Sequence, residues 1–402
     1  MTHPTHRTPD PTTAPTIGPT TVRGAGPVRA ADTAVVGGGI VGLAHALAAA
    51  RRGDRVVLFE RDTYAVGASI RNFGMIWAVG QQRGAVYQRA LRSREIWLEL
   101  SAKTGMWAEP AGSLHLAHRP DELAVLEEFV ATTPAAREHG TTMITAAEAA
   151  RRGPAVRAEG LLGAMWSPTE VNVDPRRAVP AVAAHLAEEY GVDVRFGTTV
   201  RGIAAPRLST TDGEWRADRI VVCSGNDFAT LYPEVFRESG LVRCKLQMLR
   251  TGAQPDGWRL GPMLCGGLTL LHYAAFEDCT ARAALDARMR AELPFHREHG
   301  IHVLLSQTAD GRLTIGDSHA YAATHDPFAS EEVNQAILGS LREFARIPDP
   351  RITERWTGCY PSLRDGRTEL VADPEPGVTV VNGVGGAGMT LSFGLAEEVL
   401  GR

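Results

Sequence analysis

Residues 33–61 read TAVVGGGIVGLAHALAAARRGDRVVLFER, and this stretch decides the fold. Residues 33–36 make a short buried strand. Gly37, Gly39 and Gly42 then fall in the pattern G-x-G-x-x-G. An alanine-rich helix follows and closes at Gly53, a residue suited to the left-handed position after a helix. Residues 55–60 are a second apolar strand, ending in Glu60. Each glycine has a physical task in such a unit. The first permits the tight strand-to-helix turn, the second lets a pyrophosphate approach the backbone at a helix N-terminus, and the third lets helix and strand pack closely. Glu60 lies about 20 residues past the motif, where an acidic side chain binds ribose hydroxyls. A chance glycine-rich turn lacks this flanking order, so the unit predicts dinucleotide binding.

Pieces of the same style return twice. Asp174 and Pro175 start a helix as N-cap and first helical residue, and it ends at Gly191. Strands follow at 192–203, and 217–225 is a buried strand ending in Ser224-Gly225. At the end of the chain, 378–383 is a strand, 384–390 a glycine-rich turn and 391–400 a helix. Between these pieces, 84–140 reads as mainly helical around a strand at 113–117. Residues 245–325 read as strand-rich, with a hairpin turning at Asp310-Gly311. A helix over 330–347 is capped by Ser330. The predicted class is α/β (α+β overall): a Rossmann-like domain from 31–80, 150–244 and 352–402, with a discontinuous sheet-and-helix substrate domain inserted as 81–149 and 245–351. Residues 1–30, rich in Thr and Pro without a signal-peptide apolar core, read as a disordered leader.

Composition bounds the function. The chain has 402 residues, 44% of them hydrophobic, and a formal net charge of −4. No basic run suits nucleic acid or an anionic membrane, and no apolar run approaches the roughly 20 residues of a membrane span. Cys223, Cys244, Cys265, Cys279 and Cys359 are odd in number and lack metal-ligand spacing. A reduced, cytoplasmic chain with no bound metal is the expectation.

The segment after Glu60 bears on which dinucleotide is held. In many NAD domains further strand–helix repeats come at once. Here Glu60-Arg61 runs into GASIRNFGMIW (67–77), and a second glycine-rich turn precedes the C-terminal helix. A second helix N-terminus offers donors to a developing negative charge, such as a reduced isoalloxazine ring. That favours FAD over NAD.

With these pieces in place, the chain resembles the D-amino-acid-oxidase-like flavoenzymes, which include glycine oxidase and sarcosine oxidase. The resemblance runs from about residue 31 to the end. It rests on VVGGGIVG, LFER, GAS, VDP before a helix, GTTV, VVCSG and GGAGMTLSFG. GASIRNFGMIWAVGQ, CKLQMLRT and GDSH are similar to a narrower branch associated with phosphonate catabolism and 2-aminoethylphosphonate-like amines. The resemblance implies that Ile40 and Val41 lie under the pyrophosphate, with Glu60 and Arg61 at the adenosine ribose. It places Ala68 and Ser69 at phosphate, Phe73, Gly74 and Met75 along the flavin edge, and the Val200 backbone at adenine. Ser224 and Gly225 join the cofactor set. Val384 and the run Gly385, Gly386, Ala387, Gly388, Met389 and Thr390 line the pyrimidine side of the flavin.

One departure bears on substrate. Carboxylate-binding members carry an arginine before the Pro of an RPxxxDG-like stretch, where this chain has CYPSLRDG with Tyr360. A second family arginine is replaced by Gly386. A bidentate carboxylate clamp is therefore expected to be missing. A phosphonate needs cations from elsewhere, and Arg71, Lys245, Arg250, His272, His319 and Arg364 are the candidates. Arg71, Asn72, Lys245, His272, His319 and Tyr360 form the substrate-site set. Each has a structural alternative: Arg71 paired with the cofactor phosphates, Asn72 bonded to local backbone, the histidines and Tyr360 packed in the core. Cys359 lies near where sarcosine oxidases attach flavin, but out of register, so non-covalent FAD is expected.

The implied activity is oxidation of an amine to an imine, hydrolysis to aldehyde and free amine, and reduction of oxygen to hydrogen peroxide. No obligatory side-chain base is required. The partners are then a small amine and oxygen, with oligomerisation left open. Two rivals stand: a flavin oxidase or dehydrogenase of a small amino or imino acid (glycine, sarcosine, a D-amino acid), and a non-catalytic FAD-holding subunit.

Overall fold

A computed structural model describes residues 28–401, so the expected leader lies outside the described residues except for its end. There Arg29 and Ala30 already belong to the first strand, Arg29–Val36. That strand is central to an eight-stranded sheet and runs parallel to both neighbours, Gly213–Val222 and Val56–Phe59. Asp193–Arg195 extends the parallel run on one side and Val378–Asn382 on the other. Parallel strands buried on both faces need continuous apolar sequence, and Val56–Phe59 is buried throughout.

The helix Ile40–Arg51 follows the first strand and ends with Gly53 at φ +92°. It packs between helix Pro175–Tyr190 and the C-terminal helix Gly388–Leu400. Its alanines suit that position, because small side chains let helices approach on several sides. Leu43, Leu47, Leu186, Trp97 and Phe393 join one core there. Asp174 caps the second of these helices, accepting from the Arg176 N–H at 3.0 Å.

The second sheet has nine strands, built around the antiparallel ladder Val242–Ala253, Arg312–Gly316 and Leu304–Gln307. The hairpin turns at Asp310-Gly311 as expected, with Gly311 at φ +80°. Helix Glu331–Phe344 covers this sheet, capped by Ser330, whose hydroxyl accepts from the Val333 N–H. Two strands from segments assigned in sequence to the nucleotide-binding part, Gly163–Ser167 and Ile352–Ser362, lie in this second sheet. The stretch 245–325 is also less strand-rich than expected. Short helical turns and the helices Arg282–Glu292 and Pro294–Glu298 occupy much of it. A third, three-stranded sheet joins Met75–Ile76, Val171–Val173 and Ala108–Glu109. No described helix is long and apolar enough to cross a membrane.

Candidate active site

The two large sheets and both glycine-rich turns meet around a cavity of about 570 Å³. It opens at the carboxyl ends of the parallel strands, where open α/β sheets bind ligands. At one end is the first turn. A Cβ on Gly37 would lie 2.2 Å from the Cys223 carbonyl oxygen, and one on Gly42 would lie 1.8 Å from the Gly37 oxygen. Only bare backbone fits there, so the helix N-terminus is brought directly to the cavity wall. Gly39 supplies no side-chain cap. Instead Ser69 Oγ accepts from the Ile40 N–H at 2.9 Å. The first-turn N–H groups of Val41 and Gly42 have no intrahelical carbonyl, and both residues line the cavity.

Glu60 accepts from the Gly38 N–H at 2.8 Å and from the Asp62 N–H at 3.0 Å. A carboxylate retains further acceptor sites for ribose hydroxyls after two such bonds. Arg61 reaches across to Asp227 at 3.1 Å. The backbone beside Val200 and at Ser224-Gly225 completes this end, with Ser224 Oγ donating to the Asp227 carbonyl. At the other end Gly385–Ala387 and the start of helix Gly388–Leu400 line the wall. Thr390 Oγ1 accepts from the Trp77 N–H at 2.9 Å, tying the turn to residues 73–77. A phosphate-accepting helix N-terminus, a ribose-type acid and a second helix N-terminus along one cavity fit an FAD.

Nearly every expected cofactor residue lines this cavity: Gly37, Gly39, Ile40, Val41, Gly42, Glu60, Arg61, Ala68, Ser69, Phe73, Met75, Val200, Ser224, Gly225 and 385–390. Gly74 does not. It sits at φ +76°, where a Cβ would lie 1.9 Å from the Val173 carbonyl oxygen, so its task is packing between the third sheet's strands.

The substrate-site set divides. Arg71, His272, His319 and Tyr360 line the cavity. Asn72 touches it too, but its amide is bonded to local backbone. Its Nδ2 donates to the Ala68 and Ser69 carbonyls and its Oδ1 accepts from the Gly74 N–H. Lys245 points away on the opposite face of its strand from Leu246, donating to Asp326 and the Phe328 carbonyl. Strand alternation separates it from the cavity. Arg250 is likewise held outside, by Thr308 at 2.7 Å and by Asp310. Arg364 stacks on Tyr321 at 3.8 Å from the ring centroid and acts electrostatically on His272. Arg71 is exposed, donating weakly to the Thr357 carbonyl at 3.4 Å.

Sequence reasoning missed His302, Asp317, Trp77 and Tyr273. His302 and Asp317 exchange backbone hydrogen bonds across the open end of the hairpin. Counting outward from Asp310-Gly311 pairs His302 with His319 instead, so the register that brings His302 to Asp317 was not readable from the turn. Trp77 and Tyr273 face each other across Gly80, with ring centroids 6.0 Å apart. His272, His302 and His319 form a cluster, ring centroids 3.9–4.9 Å apart. Burial pushes His272 and His302 well below the ordinary histidine range, and pushes Asp317 up to about 6 against the pull of His319. His272 and His302 are thus neutral imidazoles beside a reluctant carboxylate. Tyr360 Oη would lie 3.4 Å from a Cβ on Gly386, so the two residues expected in place of the family arginines face each other.

Comparison with known proteins agrees with this geometry. The profile of the family described as FAD dependent oxidoreductase matches residues 32–401. A glycine oxidase of Geobacillus kaustophilus (strain HTA426) is 30% identical over 242 residues, 55% of this chain and 63% of that protein. The matched stretch therefore spans less than two thirds of that relative. Among solved structures, L-proline dehydrogenase from P. horikoshii superposes with a TM-score of 0.72 at 21% identity, over 92% of each chain. Glycine oxidase from Geobacillus kaustophilus gives 0.70 at 22% identity, over 93% of this chain and 94% of that one. At such identities the structures speak for the fold.

Proposed function

The chain belongs to the FAD dependent oxidoreductase family, and from that premise we propose that it oxidises a small amine whose second group is a phosphonate, 2-aminoethylphosphonate or an N-methyl or hydroxy derivative. The supporting observation is the composition of the substrate end. Among the described cavity-lining residues the arginines are Arg61 and Arg71, and Arg61 is at the nucleotide end, paired with Asp227. Tyr360 and Gly386 stand where a carboxylate clamp would be. Basic groups instead gather at His272, His302 and His319, with Arg364 close by.

FAD, when bound, supplies acceptance of a hydride from the carbon bearing nitrogen and its passage to oxygen. The residues of this chain bind and orient. Trp77, Tyr273, Leu246 and Met248 make an apolar wall that excludes water around the reacting carbon. His272 and His302, held neutral by burial, each have one ring N–H to give to an oxyanion. An anionic substrate also raises the tendency of His272 and His302 to take a proton, against their burial. The amine enters deprotonated, so no side chain is needed as obligatory base. Water then hydrolyses the product imine to an aldehyde and an amine.

The test is a peroxide or oxygen-electrode assay across aminophosphonates, glycine, sarcosine and D-alanine. Turnover of 2-aminoethylphosphonate or its N-methyl derivative above the carboxylates supports the reading. Fast glycine or D-alanine turnover with no aminophosphonate activity rejects it.

A further inference from the structure

We propose that His272, His302 and His319 bind one divalent transition-metal ion of the zinc type on the cavity wall, with Asp317 drawn in beside His302 and His319 as the carboxylate. A potential ligand nitrogen from each histidine lies within 4.8 Å of the others. His302 is 4% exposed and both its ring nitrogens lack a hydrogen-bond partner, as does Oδ1 of the 5% exposed Asp317. Buried polar atoms without partners are rare and ask for one.

The spacings identify the partner. His302 Nε2 is 3.6 Å from Asp317 Oδ1, and His319 Nε2 is 3.8 Å from Asp317 Oδ2. Both are too long for direct hydrogen bonds. Two ligands about 2.1 Å from a tetrahedral zinc ion are about 3.4 Å apart, so a small inward movement makes these pairs metal-bridged. The tautomer of His319 also fits. Its Nδ1 is 3.0 Å from the Gly300 carbonyl oxygen, which only accepts. The Nδ1–H therefore donates, and the Nε2 lone pair points towards Asp317. A backbone carbonyl behind the ligating ring is the usual support of a metal-bound histidine. The rings of His302 and His319 are nearly parallel, at 11°. Binding turns one of them about its Cβ–Cγ bond and leaves the backbone in place. His272, deep in the protein but with its surface open to the cavity, closes the set as third nitrogen ligand.

Three histidines and a carboxylate suit zinc or cobalt, and the two positive charges are partly neutralised by Asp317. That a substrate oxyanion takes a coordination position on the ion rests on the proposed aminophosphonate reading; the ion site itself does not. The experiment uses untagged, FAD-loaded full-length protein, stripped by a chelator and titrated with Co²⁺ and then Zn²⁺ without substrate. One equivalent of Co²⁺ with a visible ligand-field band, displaced by Zn²⁺, is expected. His272→Ala, which trims a side chain that opens on the cavity, is expected to weaken binding by more than the about 10–100-fold typical of outer-shell changes. His302→Gln is expected to abolish the band with the flavin spectrum retained. Failure of Co²⁺ and Zn²⁺ to bind the folded, yellow protein overturns the site. So does binding unchanged in both variants. Neither result depends on which amine is oxidised.

Discussion

Ser69 Oγ accepts a hydrogen bond of 2.9 Å from the backbone N–H of Ile40, the first residue of the helix behind the glycine turn. One short side chain from the loop after the dinucleotide unit thus caps the helix, and its own O–H remains free to donate to a phosphate. Ser69→Ala removes both links. The expected cost is about 1 kcal/mol, roughly a fivefold rise in the Kd for FAD measured by fluorescence on reconstitution of apoprotein. Unchanged affinity would separate Ser69 from the phosphates.

Gly42 packs with its Cα against the Gly37 carbonyl, where a Cβ would come within 1.8 Å. Gly42→Ala must push the helix off the strand. A loss of about 1–3 kcal/mol in stability by denaturant titration is expected, together with purified protein poor in FAD. Retention of full flavin content would show that helix and turn can separate without disturbing the site.

Among the described residues, Arg71 is the cavity-lining arginine that lies away from the Arg61–Asp227 pair at the nucleotide end. Arg71→Ala is expected to raise KM for the anionic amine about tenfold, equivalent to about 1.4 kcal/mol, with FAD content unchanged. Lys245→Ala, whose ammonium is engaged outside by Asp326, serves as the control and should leave KM alone. Loss of yellow colour in Arg71→Ala would assign the guanidinium to the cofactor phosphates.

Two core histidines make stability depend on pH. Burial lowers His115 from 6.5 to about 3, and lowers His45 from 6.5 to about 4 against the opposing hydrogen bond to the Val41 carbonyl. The unfolded chain therefore binds protons that the folded one refuses. Their stabilising contribution is complete above pH about 6.5 and falls as pH drops towards the folded values, by on the order of 3 kcal/mol for His45. His45→Leu should flatten the decline of the melting temperature between pH 6.5 and 4. An equally steep decline in the variant would place the acid sensitivity elsewhere.

Cys359 lines the cavity, and burial raises its thiol, opposed by Arg243, Arg71 and Lys245. A thiol held in its protonated form is a poor nucleophile. Acid precipitation is expected to leave all the flavin in the supernatant. Flavin retained in the pellet, and lost from it in Cys359→Ala, would show a covalent link.

The nucleotide end was legible in sequence because its requirements are local. A tight turn needs Gly37, a close helix needs Gly42, and a strand-end acid needs Glu60. All three sit in one contiguous run. Gly74 misled because a glycine serves equally for cofactor approach and for packing against another strand, here Val171–Val173. The substrate end was only partly legible because its residues converge from distant segments. His272 follows a short helical turn, His302 and His319 flank a hairpin, and Tyr360 is on a strand that left the expected domain for the second sheet. Lys245 was excluded by strand alternation, which depends on knowing which face of Val242–Ala253 meets the cavity. Trp77 lay inside the quoted stretch GASIRNFGMIW without a role assigned to it, and Tyr273 carried no pattern at all.

The most direct test of the proposed activity is anaerobic mixing of the purified yellow protein with single amines while flavin absorbance is followed. Rapid bleaching by 2-aminoethylphosphonate or its N-methyl derivative, and slower bleaching by glycine, sarcosine and D-alanine, is the predicted result. Rapid bleaching by a carboxylate amine with none by aminophosphonates, or no bleaching by any amine, would contradict it.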